Sequence, residues 1–249
     1  MQGRKSGRVV ETRVKTTAVR ATLLIIGLFG YGVSMAMMVR AGLGLDPWDV
    51  FHQGLTRHTS MTIGIASAVV GVVVLLAWIP LRNRLGIGTL ANVVVIAVTV
   101  DATLAVLPAP SGMALRIAMM MGAVLLNAIS TVLYIGAGLG PGPRDGLMTG
   151  LVARTGLSVR LIRTGIESAV LVAGWSLGGT VGIGTVLYAF GIGPLVQLFL
   201  RIVPRRMLFH DFGSPGRGRS RARRQRITTM GECPQPEKTQ PTVPSPRTC

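Results

Sequence analysis

Long apolar runs separated by short polar, proline-rich or glycine-rich breaks dominate this chain. Six of them approach the ~20 residues that a helix needs to cross a bilayer. They cover 20–40, 61–81, 86–107, 113–136, 159–178 and 183–203. Pro80 with Arg82-Asn83-Arg84 closes the second run, Pro108-Ala109-Pro110-Ser111-Gly112 breaks the chain after the third, and Gly178-Gly179 separates the last two. Between Glu167 and Arg201 there is no charged residue, which suits burial in lipid and not a water-facing surface. Two further stretches, Gly42–His58 and Gly138–Thr155, each join a glycine-rich turn to a short helical segment. Pro47 and Pro143 fit an early helical position, where a missing N–H costs nothing. These segments are expected to lie at the interface or to dip into the bundle as re-entrant helices, where surrounding protein or a water-filled cavity must shelter irregular backbone.

The pattern occurs twice, at a constant shift of 96 positions and without a gap. Gly42, Gly44, Pro47 and Asp49 return as Gly138, Gly140, Pro143 and Asp145. Gly86, Gly88 and Thr89 return as Gly182, Gly184 and Thr185. Of the 61 positions from Ala41 to Asp101, 19 match their partners, a register that marks duplication of a structural unit. Each unit holds three spans, an odd number, so the second copy enters the membrane from the opposite face. The predicted fold is an all-α membrane protein of six transmembrane helices arranged as two inverted three-helix repeats, each with a short interfacial or re-entrant helix. Its parts are a basic N-tail (1–17), a first repeat (18–111), a second repeat (112–204) and a basic, proline-rich C-tail (205–249).

Composition agrees with the pattern: mean hydropathy is +0.54, and 14% of residues are charged against about 25% in soluble domains. A net charge of +17 at first points to nucleic acid, but six of the 26 Lys and Arg lie in residues 1–20 and ten lie after Pro204. The basic bias therefore belongs to the tails, and no specific nucleic-acid partner is expected. With six spans, both tails, Arg82/Arg84 and Arg144/Arg154/Arg160 share one face, which the positive-inside rule makes the cytoplasmic side of a bacterial plasma membrane. Arg40 and Arg57 go against that trend. The first apolar run reads as an uncleaved span because it is long and a similar segment opens the second repeat. The C-tail has too few apolar residues to fold. Its arginines suit anionic lipid headgroups, at about 1 kcal/mol per basic residue near the surface. Cys233 and Cys249 imply no disulfide framework, and the sequence sets no oligomeric state.

Candidate chemistry is sparse. Asp49 and Asp145, two residues after the repeated proline, either cap the short helices, worth about 0.3–1 kcal/mol, or line a solute or ion path. Asp101 in the third span aligns with Gln197 in the sixth, and an acid there faces either the bundle interior or wetted surface. Glu167 follows Arg163 by one helical turn, which favours an ion pair along one face and leaves a cation-linked role as the alternative. Asn92, Asn127, Tyr188, Thr89 and Thr185 fit interhelical hydrogen bonds, with Asn92 also a candidate for the path. Trp48, Trp78 and Trp175 fit interfacial belts. His52 and His58 stand six apart, off a common helix face, so no metal site is expected. No nucleophile with a base and no phosphate loop occurs, so neither enzyme activity nor a cofactor is expected.

The motifs Gly42-Leu43-Gly44-Leu45-Asp46-Pro47-Trp48-Asp49 and Gly86-Ile87-Gly88-Thr89 with Asn92, repeated at 138–145 and 182–188, resemble those of the YczE/YyaS/YitT family of bacterial integral membrane proteins. The resemblance covers roughly residues 18–203. It implies a bacterial plasma-membrane protein and assigns no catalytic residues. The second half departs from the first at Arg144 for Trp48, Tyr188 for Asn92 and Gln197 for Asp101. The reading that follows is a transporter-like protein for a small solute or ion. The alternative is a membrane scaffold or assembly factor whose basic tail binds lipid or a protein.

Overall fold

The structure, a computed structural model, describes residues 3–83 and 85–202, with side chains from residue 17 onward. The predicted C-tail at 205–249 lies outside the described residues. Among those described there are eight helices and no strand: α1 (Gly3–Ala41), α2 (Pro47–His58), α3 (Ile63–Leu81), α4 (Ile87–Val106), α5 (Met113–Gly136), α6 (Pro143–Thr155), α7 (Val159–Ser176) and α8 (Ile183–Ile202). The helix α1 already begins inside the stretch read as an N-tail.

Five helices, α1 from Thr17 onward, α3, α4, α5 and α8, are long and apolar enough to cross a membrane. The run at 159–178, the fifth of the predicted spans, is helical as α7, but Arg160, Arg163 and Glu167 within its 18 residues set it apart from the others. Its Arg163 and Glu167 line the cavity described below.

Local chemistry fixes the helix ends. Thr62 and Ser158 cap α3 and α7, their hydroxyls accepting the N–H groups of Ile65 and Leu161 at 3.2 and 3.3 Å. This satisfies donors that the first helical turn leaves unpaired. Pro80 sits in the last turn of α3, and Arg82 then takes a left-handed conformation (φ 54°) that turns the chain. Gly42 and Gly44 after α1 have φ of 63° and 117°, and Gly138 and Gly140 after α5 have φ of 63° and 138°. These left-handed values suit glycine, and they let the chain reverse within a few residues.

The helix pairings are reciprocal across the two halves. The central contact is between α1 and α5; α4 packs on α1 and α8 on α5. The short helix α2 packs mainly on α7, and α6 packs on α3, so each short helix rests on the other half. The turns are exchanged in the same way. Gly88 N–H donates to Leu139 O (3.1 Å), and Gly184 N–H donates to Leu43 O (2.8 Å). Thr89 and Thr185 each accept the N–H of the glycine three residues earlier, at 3.4 and 3.3 Å. The two Gly-Ile-Gly-Thr motifs are thus helix starts that receive the glycine turn of the opposite half.

Two of the three tryptophans depart from the expected belt. Trp175 is 67% exposed, but Trp48 and Trp78 are buried. Trp78 donates its indole N–H to Pro143 O at 3.1 Å and lies where a side chain at Gly146 would stand. A partner for the indole N–H within the protein removes the reason for an interfacial position.

Candidate functional site

A cavity of about 350 Å3 lies inside the bundle, and all eight helices contribute to its wall. That is at the small end of the range of about 300–1,000 Å3 usual for ligand pockets. Its polar side is built where the two glycine turns deliver the first turns of α2 and α6.

On α2, Asp46 is the N-cap, and its carboxylate accepts the Asp49 N–H at 2.6 Å. Capping therefore falls to Asp46, and the expectation that Asp49 serves as the cap is corrected. The Asp49 side chain turns away, to His52 Nδ1 at 3.2 Å and to the Arg144 guanidinium at 3.7 Å. Its Oδ2 is buried and has no hydrogen-bond partner. Arg144, from the first turn of α6, also donates to Asp46 Oδ2 at 3.3 Å, and its Cζ lies 4.9 Å from the centre of the Trp48 ring. One guanidinium thus bridges two buried carboxylates and stacks on an aromatic face, which suits arginine's planar fork.

Burial governs the protonation of this cluster. It pushes the Asp46 and Asp49 carboxyls up to about 6, with Asp49 adding to the effect at Asp46 and Arg144 opposing it at both. Burial, with Arg144 beside it, holds His52 down at about 3, so the imidazole is neutral. The Asp145 carboxyl is also raised by burial, against the Tyr134 hydrogen bond, the positive charges of Arg144 and Arg163 and a hydrogen bond from the Gly142 backbone.

Asp145 behaves differently from its counterpart Asp49. It lines the cavity, and its Oδ2 accepts the Tyr134 hydroxyl at 3.0 Å. Gly142, the N-cap of α6, has no side chain with which to cap, and Asp145 reaches back to its backbone as a residue at the third helical position can. The Tyr134 ring meets Tyr31 edge to face, with centroids 6.1 Å apart. Asn92 and Gln197 join the cavity wall from α4 and α8. Glu167 also lines it, paired with Arg163 at 2.9 Å as the spacing predicts.

The cavity thus gathers Asp145, Asn92, Glu167 and Gln197, with Asp49 buried behind its polar wall. Asp101 is elsewhere. It accepts the Thr62 hydroxyl at 2.5 Å and the Gly64 N–H at 2.8 Å, so it ties α4 to the start of α3. Asn127 donates to Ser34 Oγ (2.8 Å) and accepts from Tyr188 (3.1 Å), the interhelical role expected of it. Thr89 adds a bond to Pro141 O at 2.8 Å.

Sequence reasoning missed Asp46, Arg144, Tyr31 and Tyr134 as site residues. Asp46 and Arg144 lie inside the motif that was recognised, and the signal was present: the motif's two copies differ in charge where a structural turn alone would not require it. The tyrosines carried no such signal, because one aromatic residue within a span resembles any other.

The family described as "Family of unknown function (DUF6198)" matches residues 18–201. An uncharacterized protein of Haemophilus influenzae is 41% identical over 184 residues, covering 74% of this chain and 84% of its own. Two Bacillus subtilis proteins are also similar. The uncharacterized membrane protein YczE is 36% identical over 185 residues, covering 73% of this chain and 85% of its own, and the uncharacterized protein YyaS is 27% identical over 192 residues, covering 74% and 93%. No solved structure matches.

Proposed function

The chain belongs to the YczE-like family of unknown function DUF6198, and from that premise we propose that this multi-pass membrane protein carries a small solute or ion through the cavity between its two halves. The observation that carries the reading is the meeting of two opposed glycine turns at one charged cavity. Arg20 donates to Ala137 O and Gly138 O, while Arg40 donates to Leu104 O. Twenty helical residues separate these arginines, about 30 Å at 1.5 Å per residue, which equals the ~30 Å hydrocarbon thickness of a bilayer. The turn after α1 and the turn after α5 therefore start at opposite faces. Yet Asp46 and Arg144, a few residues into those turns, touch at 3.3 Å. Both α2 and α6 then begin deep in the bundle and run outward, which makes them re-entrant. Paired helix starts aimed at the midplane are how several transporter folds hold solutes.

The inverted repeat is part of this proposal, with α7 as the fifth of six spans. Its support is the reciprocal exchange of turns and the stacking of Arg144 on Trp48. These two residues occupy equivalent positions, and equivalent positions meet only near a symmetry axis. Identical residues there would set Arg against Arg or leave two carboxylates without a cation, so the Trp-for-Arg departure is complementary. Both termini face the cytoplasm in this reading, following the positive-inside rule.

Single cysteines test it, placed in a chain from which Cys233 and Cys249 have been replaced. Thr59 and Thr155 are equivalent, exposed positions at the outer ends of α2 and α6. Thr59→Cys and Thr155→Cys are expected to react with a membrane-impermeant maleimide from opposite faces, and Ser67→Cys in the cavity wall with a small water-soluble thiol reagent. Labelling of the first two from one face would remove the inverted repeat. An inert Ser67→Cys would remove the water-accessible path.

A further inference from the structure

The unclaimed charge in the cavity is negative, and its setting is aromatic. Both arginines near the polar wall are already engaged: Arg144 by Asp46 and Asp49, and Arg163 by Glu167. An anionic solute would have to displace a carboxylate to reach either guanidinium. His52 is buried against Asp49 and offers no charge. Asp145 forms no ion pair among the described residues, and Arg144 and Arg163 act on its carboxyl only from beyond ion-pair distance. Its one side-chain hydrogen-bond donor is the Tyr134 hydroxyl, a neutral group. Four carboxyl groups, those of Asp46, Asp49, Asp145 and Glu167, surround the polar wall with two guanidinium groups, so acids outnumber basic groups there by two.

A bare metal ion would not need about 350 Å3 of space, and it would require several converging oxygen ligands. No group of three or more acidic, His or Cys side chains suited to a metal occurs among the described residues. What the wall offers beside Asp145 is ring surface, from Tyr31 and Tyr134 packed edge to face and from Tyr188. Carboxylate and aromatic faces together recognise organic cations, whose weak hydration lets them exchange water for ring quadrupoles. The protein already uses this chemistry on itself, where the Arg144 guanidinium lies over Trp48 between Asp46 and Asp49.

We propose that the cavity binds a small organic cation of the substituted-ammonium class, with Asp145 as counter-ion and the Tyr31 and Tyr134 rings as its aromatic wall. This rests on the reading of the cavity as a solute site and names the class of solute. Tyr134 has two parts in it: its ring meets the cation, and its hydroxyl orients the Asp145 carboxylate.

The test uses the full chain in lipid nanodiscs and three probes of one shape: choline, its neutral isostere 3,3-dimethyl-1-butanol, and the anion 3,3-dimethylbutanoate. Equilibrium dialysis is expected to show saturable choline binding about tenfold or more tighter than that of either isostere. Asp145→Asn should weaken choline about tenfold and leave the neutral probe unchanged, whereas Tyr134→Phe should weaken it by a few-fold, about the effect of losing one hydrogen bond. Equal or tighter binding of the neutral or anionic probe overturns the cation assignment and leaves the solute cavity standing. Binding of none of the three overturns both. Should Asp145→Asn fail to fold, the probe comparison in the unaltered chain decides alone.

Discussion

The two glycine turns share a backbone and differ in nearly everything attached to it. Residues 42–58 and 138–155 match in their left-handed glycines and their helix-opening prolines, and in each a leucine carbonyl accepts a glycine N–H from the other half. At the positions facing the cavity, however, Asp46 stands against Gly142, Trp48 against Arg144 and His52 against Met148. The first turn supplies acids and an aromatic platform, and the second supplies the cation that neutralises them. The comparison teaches that the repeat preserves a frame, because both turns must fit the same kind of slot. The chemistry diverges where the two turns meet, because there Arg144 of one lies against Asp46 and Trp48 of the other.

The largest effects should strike the shared frame, and strike it equally. A Cβ at Gly44 would lie 2.7 Å from Gly182 N, and one at Gly140 would lie 2.9 Å from Thr89 Oγ1, both on left-handed backbone. Gly44→Ala and Gly140→Ala are each expected to cost about 2–5 kcal/mol through strain and overpacking, read as loss of monodisperse protein and a lower Tm. Tolerance of one and collapse of the other would show that the two turns do not bear equal loads.

Arg144→Met should come next, and its effect has no counterpart in Trp48→Phe. Leaving Asp46 and Asp49 buried without their cation costs about 3–5 kcal/mol, and Asp46→Asn in the same chain should recover part of it. A double-mutant cycle between positions 46 and 144 measures the coupling. Additive losses would mean that the pair contributes nothing as a pair.

Acidification acts in one sense on the acids of both turns and in the opposite sense on His52, which only the first turn carries. Asp46 and Asp49 sit at about 6 in the folded chain against an ordinary 3.8, so their contribution to stability is complete below 3.8 and lost as pH rises through about 6. His52, at about 3 against 6.5, contributes fully above 6.5 and loses its contribution as pH falls toward 3. Between pH 7.5 and 5 the acids therefore stabilise while His52 destabilises. In His52→Gln the acids act alone, and Tm should rise on acidification by a few degrees relative to the unaltered chain (~4 °C per kcal/mol). Parallel pH profiles for the two chains would place the titration elsewhere.

The smallest effect is expected at Asp101→Asn. It weakens the tie to Thr62 and Gly64 by about 0.5–1.5 kcal/mol and should leave choline binding unchanged. A loss of binding there would return Asp101 to the solute path.

The sequence by itself determined the helices, their approximate ends and the recurrence of two motifs. Apolar run length, proline and glycine punctuation and a fixed shift of 96 are local or linear properties, and they survive without knowledge of any contact. It also determined that Arg163 and Glu167 would pair, since one helical turn brings them together whatever surrounds them. Only the tertiary structure decided which acids share a site. Asp49 and Asp101 look equally eligible in a hydropathy profile, yet one faces Arg144 across the bundle and the other closes a helix end. Asp46 and Arg144 are 98 residues apart in sequence and 3.3 Å apart in space. That meeting depends on the turns after α1 and α5 bringing the first turns of α2 and α6 to one cavity. Periodicity carries no record of it, because a reversal of direction leaves the order of apolar and polar residues unchanged.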